Sequence, residues 1–277
     1  PVYNDWSSLK ILFENLNKKL KRDNYEIIII NDSSTIKQNI SSNNYSQIKS
    51  IKILTLSKNV GSQRCIAIGL RYLSQSEEKK FIITIMDGDG EDDPGHVNNL
   101  IEEAEKNSDS IITANRLNRH EGKIFQFLYR IHLLITFILT FKWINFGNFT
   151  CLHSYNLKKM QTKNEIGVAV SASTSKNCKI INSPSRRLKR YEGNSQVSYF
   201  GLFLHSLRIL SVYYIKIFFI LLIYMILTLI FITNSIKILV VIFSAIIIFD
   251  LILIMIYRNF KITEKDYNEL KITEKQC

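Results

Sequence analysis

Phe81-Ile82-Ile83-Thr84-Ile85-Met86-Asp87-Gly88-Asp89-Gly90-Glu91-Asp92-Asp93-Pro94 is a short β-branched run that ends in five carboxylates separated by two glycines. The run predicts a buried strand, and the acidic residues predict the loop at its carboxyl end. Carboxylates at that density repel one another in a folded loop unless a cation joins them. In extended geometry Asp87 and Asp89 project to the same side, so one or both can reach a single Mg²⁺ or Mn²⁺ that keeps open positions for phosphate oxygens. Asp92 and Asp93 have a simpler use, as N-terminal partners of a helix that opens at Pro94. Asp87 and Asp89, directly after a buried strand, have no such use.

Outward from this stretch, similar runs recur at 26–30, 51–56 and 111–113, while 6–20, 61–73 and 94–106 carry helical apolar spacing. Strands alternating with helices predict an α/β domain with a mostly parallel sheet covered on both faces. Ligands of such sheets gather beyond the carboxyl ends of the strands. That edge holds Asn31-Asp32-Ser33-Ser34, Lys58-Asn59-Val60-Gly61, the acidic loop, and Arg116 after the fourth run.

The composition adds a membrane to this domain. Of 277 residues 46% are hydrophobic, and the stretch 211–257 is almost continuously apolar, which excludes a purely soluble protein. A hydrocarbon core takes about 20 helical residues, a length met twice, at 213–232 and 238–257. The connector Thr233-Asn234-Ser235-Ile236-Lys237 is short enough to make the pair a hairpin. Arg186, Arg187, Lys189, Arg190 and Arg208 precede it and Arg258, Lys261 and Lys265 follow it, so the first 195 residues and the tail 258–277 are expected on the cytoplasmic side. Lys216 is expected to snorkel to the headgroups. Asp250, deep in the second span, is read as a helix–helix hydrogen bond or a protonated acid and is not counted as a site residue. The stretch 124–144, interrupted by Arg130, His132 and Lys142, is read as an interfacial or buried helix, and 196–212 as an amphipathic juxtamembrane helix.

Of the function classes, a nucleic-acid role has weak support, and no nucleic-acid partner is expected. The net charge of +12 concentrates around the spans, where anionic lipid accounts for it. The four cysteines, Cys65, Cys151, Cys178 and Cys277, show no CxxC pairing, against a disulfide scaffold or zinc module and in favour of a reducing compartment. The chain opens at Pro1 without a preceding apolar run, and its start is read as truncated.

The order Pro1-Val2-Tyr3-Asn4-Asp5, Ile30-Asn31-Asp32-Ser33-Ser34, Asn59-Val60-Gly61-Ser62-Gln63, Met86-Asp87-Gly88-Asp89-Gly90-Glu91-Asp92, closing on two apolar helices, resembles the family 2 glycosyltransferases. The likeness is greatest to the polyisoprenyl-phosphate type, which includes dolichyl-phosphate mannose synthases and bacterial undecaprenyl-phosphate sugar transferases. Asn115-Arg116 and Arg119 resemble that group's Gly-x-Arg-x-x-Arg step, and Arg190-Tyr191-Glu192-Gly193-Asn194-Ser195 its Arg-x-x-Gly-x-Ser segment. The resemblance implies an A-type nucleotide-binding domain followed by a two-helix transmembrane hairpin in a bacterial inner membrane. It implies an inverting transfer of sugar from a nucleotide donor to a polyprenyl phosphate. Pro1, Tyr3, Asp5, Asp32, Asn59, Gly61 and Asp87 would bind the donor, with Asp32 on its base or ribose. Asp87, Asp89 and Glu91 would hold Mg²⁺ or Mn²⁺, with Glu91 where the family often has Gln. Asp89 and Arg116 would serve catalysis.

Departures from the family pattern are Asn31 for Asp, Ser33 for Gly, Gln196 for Lys, and Gly147-Asn148-Phe149-Thr150 for Gly-Asp-Phe-Arg. A hydroxyl acceptor would need a carboxylate base, and 125–155 contains neither Asp nor Glu. A lipid phosphate, with a second pKa of about 6, is already anionic and needs only positioning. Arg116, Arg119 and Arg130 suit that task through the planar guanidinium fork. Transfer to a lipid hydroxyl and a non-catalytic scaffold of the same fold are the alternatives. The sugar, the base of the donor and the oligomeric state are not specified by these motifs.

Overall fold

The computed structural model describes residues 1–22, 24–37, 40, 45–76, 80–116, 122–161, 163–193, 198–231, 236–269 and 272–276. Arg119, Asn194, Ser195, Gln196, Cys277 and the connector residues Thr233, Asn234 and Ser235 lie outside them. The chain forms two compact units. One comprises Pro1–His120, Asn145–Gln196 and Ile262–Cys277, the other Glu121–Ile144 and Val197–Lys261.

In the first unit, consecutive isoleucines place β1 at Tyr25–Asn31, since stiff β-branched side chains suit a sheet covered on both faces. β1 pairs in parallel with β2 (Ile48–Leu56), Ile29 opposite Ile53 and Ile30 opposite Leu54. β7 (Ile272–Gln276) adds to β2 antiparallel. A second sheet has the order β3-β5-β4-β6, from β3 (Ile82–Ile85), β4 (Ser110–Arg116), β5 (Phe146–His153) and β6 (Lys179–Ser185). β4 and β6 are parallel, whereas β5 runs antiparallel to both β3 and β4. The expectation of a mostly parallel sheet is corrected to two mixed sheets. The cause is β5, whose Phe-Gly-Asn-Phe-Thr-Cys-Leu-His carries one β-branched residue and gives no strand signal, yet is buried along most of its length.

Helices cover the sheets. α1 (Trp6–Lys19) buries Trp6, Leu9, Leu12, Phe13 and Leu16 at helical spacing against Ile51, Ile53 and Leu100. α2 (Ser62–Ser74) buries Cys65, Ile66, Ile68 and Leu70 on the opposite side, in a cluster with Leu54, Ile85 and Leu152. α3 (Val97–Lys106) buries Val97, Leu100, Ile101 and Ala104. An apolar cavity of about 730 Å³ borders β1 and β3, lined by Leu12, Ile28, Ile66, Leu70, Ile83 and Pro1. At its end, the Val2 N–H donates to Ile30 O and the Asp32 N–H to Val2 O, at 2.8 and 2.9 Å. This parallel bridge sets residues 1–5 beside the loop that follows β1. Cys65 and Cys151 are free and buried, and burial pushes the Cys151 thiol up to about 12.

His96 ends the 3-10 turn Pro94–His96, its Nε2 3.1 Å from Ser183 Oγ, which donates to Glu103 Oε1 at 2.7 Å. Burial lowers its pKa, against the opposing charges of Asp93 and Glu103. With the folded value below the unfolded one, the unfolded chain binds more protons on the acid side, so His96 costs stability as pH falls through the ordinary histidine range. His96→Gln is expected to flatten the loss of urea midpoint between about pH 7 and 5. Parallel curves for the two proteins would remove His96 from that loss.

The second unit is helical. α4 is Lys123–Thr140 and, after α5 (Ser154–Gln161) and α6 (Val170–Asn177) of the first unit, α7 is Tyr199–Ser211, α8 Tyr214–Phe231 and α9 Ile236–Phe260. α8 packs on α9 and α4, and α7 on α9. Among the described residues one helix, containing α9, is long and apolar enough to cross a membrane by itself. A second passes only if α7 and α8, bent by 86°, are counted as one. Of the expected pair of spans, the described residues thus support the second as a candidate by itself and the first only together with α7. α4 leaves Ile124, Phe127, Ile131, Leu134 and Ile138 exposed, the surface an interfacial helix requires. Lys216, expected to snorkel, has partners within the chain. Its Nζ donates to Thr140 O at 2.7 Å and lies 5.4 Å from the Phe141 ring centroid, capping a helix end whose carbonyls lack intrahelical donors. The buried Oδ1 of Asp250 has no hydrogen-bond partner among the described residues, so the expected helix–helix bond is not made there.

Candidate active site

The acidic loop is folded by its own carboxylates. Asp92 is buried, and its Oδ2 accepts the Asp87 N–H at 3.1 Å, so it closes the loop rather than capping a helix. Asp93 does cap, accepting the Gly95 N–H at 2.8 Å with Pro94 in the first turn. Asp89 Oδ1 accepts the Glu91 N–H at 3.1 Å. Gly90 sits at φ +85°, and a Cβ there would overlap the Tyr191 ring.

Asp87 is aimed by a relay of amides that the sequence did not reveal. The Val170 N–H donates to Gln63 Oε1 at 2.7 Å, Gln63 Nε2 to Asn148 Oδ1 at 3.0 Å, and Asn148 Nδ2 to Asp87 Oδ1 at 3.2 Å. The backbone donor fixes the direction of every amide in the series. Asn148, read from the sequence as a lost charge, is the donor that holds Asp87.

Asp32 is also committed. It is 4% exposed, and its two oxygens accept the Val60 and Gly61 N–H groups at 2.7 and 2.9 Å. It anchors the loop from β2 into α2, where Gly61 adopts φ +88°. Asp32→Ala strands both donors and is expected to destabilise the fold by about 2 to 4 kcal/mol as well as weaken nucleotide binding. Urea midpoints and nucleotide-diphosphate titration separate the two effects, and an unchanged midpoint would contradict the anchoring role.

Residues 1–5 are laced to the same edge. Asn4 Oδ1 accepts the Thr35 and Ile36 N–H groups at 2.8 and 3.1 Å, and Trp6 Nε1 donates to Ile36 O at 3.0 Å. Tyr3 is half exposed, and Asn59 is exposed on the neighbouring loop. Pro1 faces the apolar cavity. Asp5 and Asp89 share one cation: Arg190 Nη2 lies 2.6 Å from Asp5 Oδ2 and Nη1 3.5 Å from Asp89 Oδ2. Burial, and then the charge of Asp87, hold the Asp89 carboxyl above its ordinary value. Glu91 instead pairs with Arg187, and among the described residues no three His, Cys, Asp or Glu side chains gather as a metal cluster. Of the three expected ligands, Asp87 and Asp89 remain as the hard oxygen donors that would hold Mg²⁺ or Mn²⁺, Asp89 now beside the Arg190 guanidinium.

Arg116 ends β4 at the register position of Ser185 in β6, on the carboxyl edge. Arg187 and Arg190, counted in sequence as flanking charges of a span, turn back to the acidic loop. The signal for Arg190 was the Arg-x-x-Gly-x-Ser segment, which marked it without giving it a partner.

A model described as glycosyl transferase family 2 matches residues 1–163. A Synechocystis protein described as an uncharacterized glycosyltransferase is 30% identical over 132 residues, 46% of this chain and 39% of that protein. The chain thus spans about two fifths of the length of that curated relative.

Proposed function

The chain belongs to glycosyl transferase family 2, and from that premise we propose that it moves a sugar from a nucleoside-diphosphate donor to a polyprenyl phosphate at a membrane surface. The observation that carries the donor half is the Asp87–Asp89 pair after β3, one member oriented by Asn148 and the other neutralised in part by Arg190. Mg²⁺ or Mn²⁺ bound by Asp87 and Asp89 would stabilise negative charge on the departing diphosphate. Asp32 shapes the Val60–Gly61 loop that borders the nucleotide, and Asn59 and Tyr3 offer exposed side chains to it. The carbon–oxygen bond to the diphosphate breaks as an acceptor oxygen attacks the opposite face of the anomeric carbon, with inversion.

The acceptor half rests on chemistry and on the helical unit. The region 125–155 supplies no carboxylate base, so an acceptor already ionised is favoured over a hydroxyl. Arg116, whose backbone ends β4 at the carboxyl edge, is the residue assigned to its phosphate, since arginine as a residue type can hold two phosphate oxygens. The uncovered apolar residues of α4 and the long apolar α9 suit a lipid surface, and the flanking Arg208, Arg258, Lys261 and Lys265 would favour the cytoplasmic side for the catalytic unit.

The test is transfer of radiolabel from a panel of nucleotide sugars into lipid extracts of membranes carrying the protein. Label that enters the organic phase and is released by mild acid identifies a glycosyl phosphate. Acid-stable lipid label would move the acceptor to a hydroxyl, and absence of lipid label with every donor would overturn lipid transfer.

A further inference from the structure

The segment 187–191 lies along the acidic loop like a strap. The Leu188 N–H donates to Glu91 O at 2.8 Å and the Tyr191 N–H to Asp89 O at 3.1 Å, with an antiparallel bridge between Asp92 and Arg187. Arg187 clamps Glu91, its Nε 3.1 Å from Oε2. At the other end the Tyr191 ring covers Gly90, and its hydroxyl accepts from Asn15 Nδ2 at 2.9 Å. Arg190, between these fixed points, places its guanidinium on Asp5 and Asp89, and its Nε donates to Glu192 O at 2.9 Å.

We propose that Arg190 is an exchangeable counter-ion, occupying Asp89 until a divalent cation displaces it and thereby loosens the 189–193 end of the strap. The inference rests on the reading of Asp87 and Asp89 as cation ligands. Without a positive charge, the neighbouring carboxylates Asp87 and Asp89 repel, and the guanidinium relieves that repulsion. A divalent ion does so more effectively, and its charge repels the guanidinium it replaces. The Asp89 contact at 3.5 Å is the longer and is the one given up, which leaves the 189–193 end held by Arg190 on Asp5 and by Tyr191. Arg187 and Leu188, bound to Glu91 rather than to Asp89, keep the other end of the strap in place. Metal entry and strap release then become one equilibrium, so each change that weakens the strap tightens the metal.

Mn²⁺ titration followed by electron paramagnetic resonance, with trypsin cleavage mapped by mass spectrometry, tests this on the intact chain. Arg190→Gln, which keeps much of the length and the donors but not the charge, is expected to bind Mn²⁺ about tenfold more tightly, with Arg190→Lys between it and the wild type. In the wild type Mn²⁺ should speed cleavage after Lys189 and Arg190, and in Asp89→Asn it should not. Mn²⁺ affinity lost in Asp89→Asn but unchanged or weakened in Arg190→Gln overturns the counter-ion role while leaving the metal site standing. Equal Mn²⁺ affinity in Asp89→Asn and wild type overturns the metal reading itself, and cleavage unaffected by Mn²⁺ in the wild type overturns the release of the strap.

Discussion

Asp89→Ala should reduce sugar transfer by about a hundredfold to a thousandfold, the scale of losing a principal electrostatic stabiliser of the leaving group, and leave the protein folded. The fold should tolerate it because the side chain makes one backbone hydrogen bond, to the Glu91 N–H, and shares Arg190 with Asp5. Its charge is also a burden in the folded state. Burial and the neighbouring Asp87 raise its pKa, so the protonated form is the one the fold prefers. A carboxyl raised in the folded state contributes stability below its unfolded pKa and loses it as pH rises through the folded pKa. At neutral pH Asp89→Asn should therefore melt at or above the wild-type temperature while losing transfer, a combination expected of a functional charge kept at the expense of stability. The acid limb of the transfer rate should lie above the pH of an ordinary aspartate and move to lower pH as Mn²⁺ is raised, since metal and proton compete for the same oxygens. An acid limb that ignores Mn²⁺ would assign it to another group.

The residues that decide this prediction were legible in sequence because they follow a strand with a strong local signal. The isoleucine-rich runs that became β1 and β3 each needed only neighbouring residues to be recognised, and the loops after them had to lie on one edge. β5, β6 and β7 carry weaker local patterns and exist because partners hold them: β5 between β3 and β4, β6 beside β4, β7 beside β2. Arg190 shows the same limit in side chains. It stands 101 positions from Asp89, next to an apolar segment, and a charge count assigned it to the membrane. Asp32 was recognised as important, but both of its oxygens turn inward to Val60 and Gly61. Local pattern locates a functional loop, whereas partner identity is a property of the folded chain.

The departures Asn148 and Thr150 become intelligible together, and they set the last prediction. Thr150 is 1% exposed within β5, opposite both Ile85 and Thr113, and an arginine there would bring a guanidinium into a buried strand. The family's Asp-x-Arg pair is neutral as a pair, and Asn-x-Thr is neutral too. Restoring only the acid breaks that balance. Asn148→Asp would set a carboxylate where an amide now donates to Asp87 at 3.2 Å, and like charges at that distance raise both pKa values. Transfer at neutral pH should fall more than tenfold, with part of the loss recovered as Mn²⁺ or pH is raised. Asn148→Ala removes the charge-assisted bond without adding a charge, a loss of about 1.5 to 3 kcal/mol in the placement of Asp87, and raising pH should recover nothing. Gln63→Met, one step further from Asp87, should have the smallest effect and the same flat pH response. The ordering and the pH dependence together identify a relay that aims Asp87. Full activity of Asn148→Asp across the pH range would mean that Asp87 does not depend on the amide beside it.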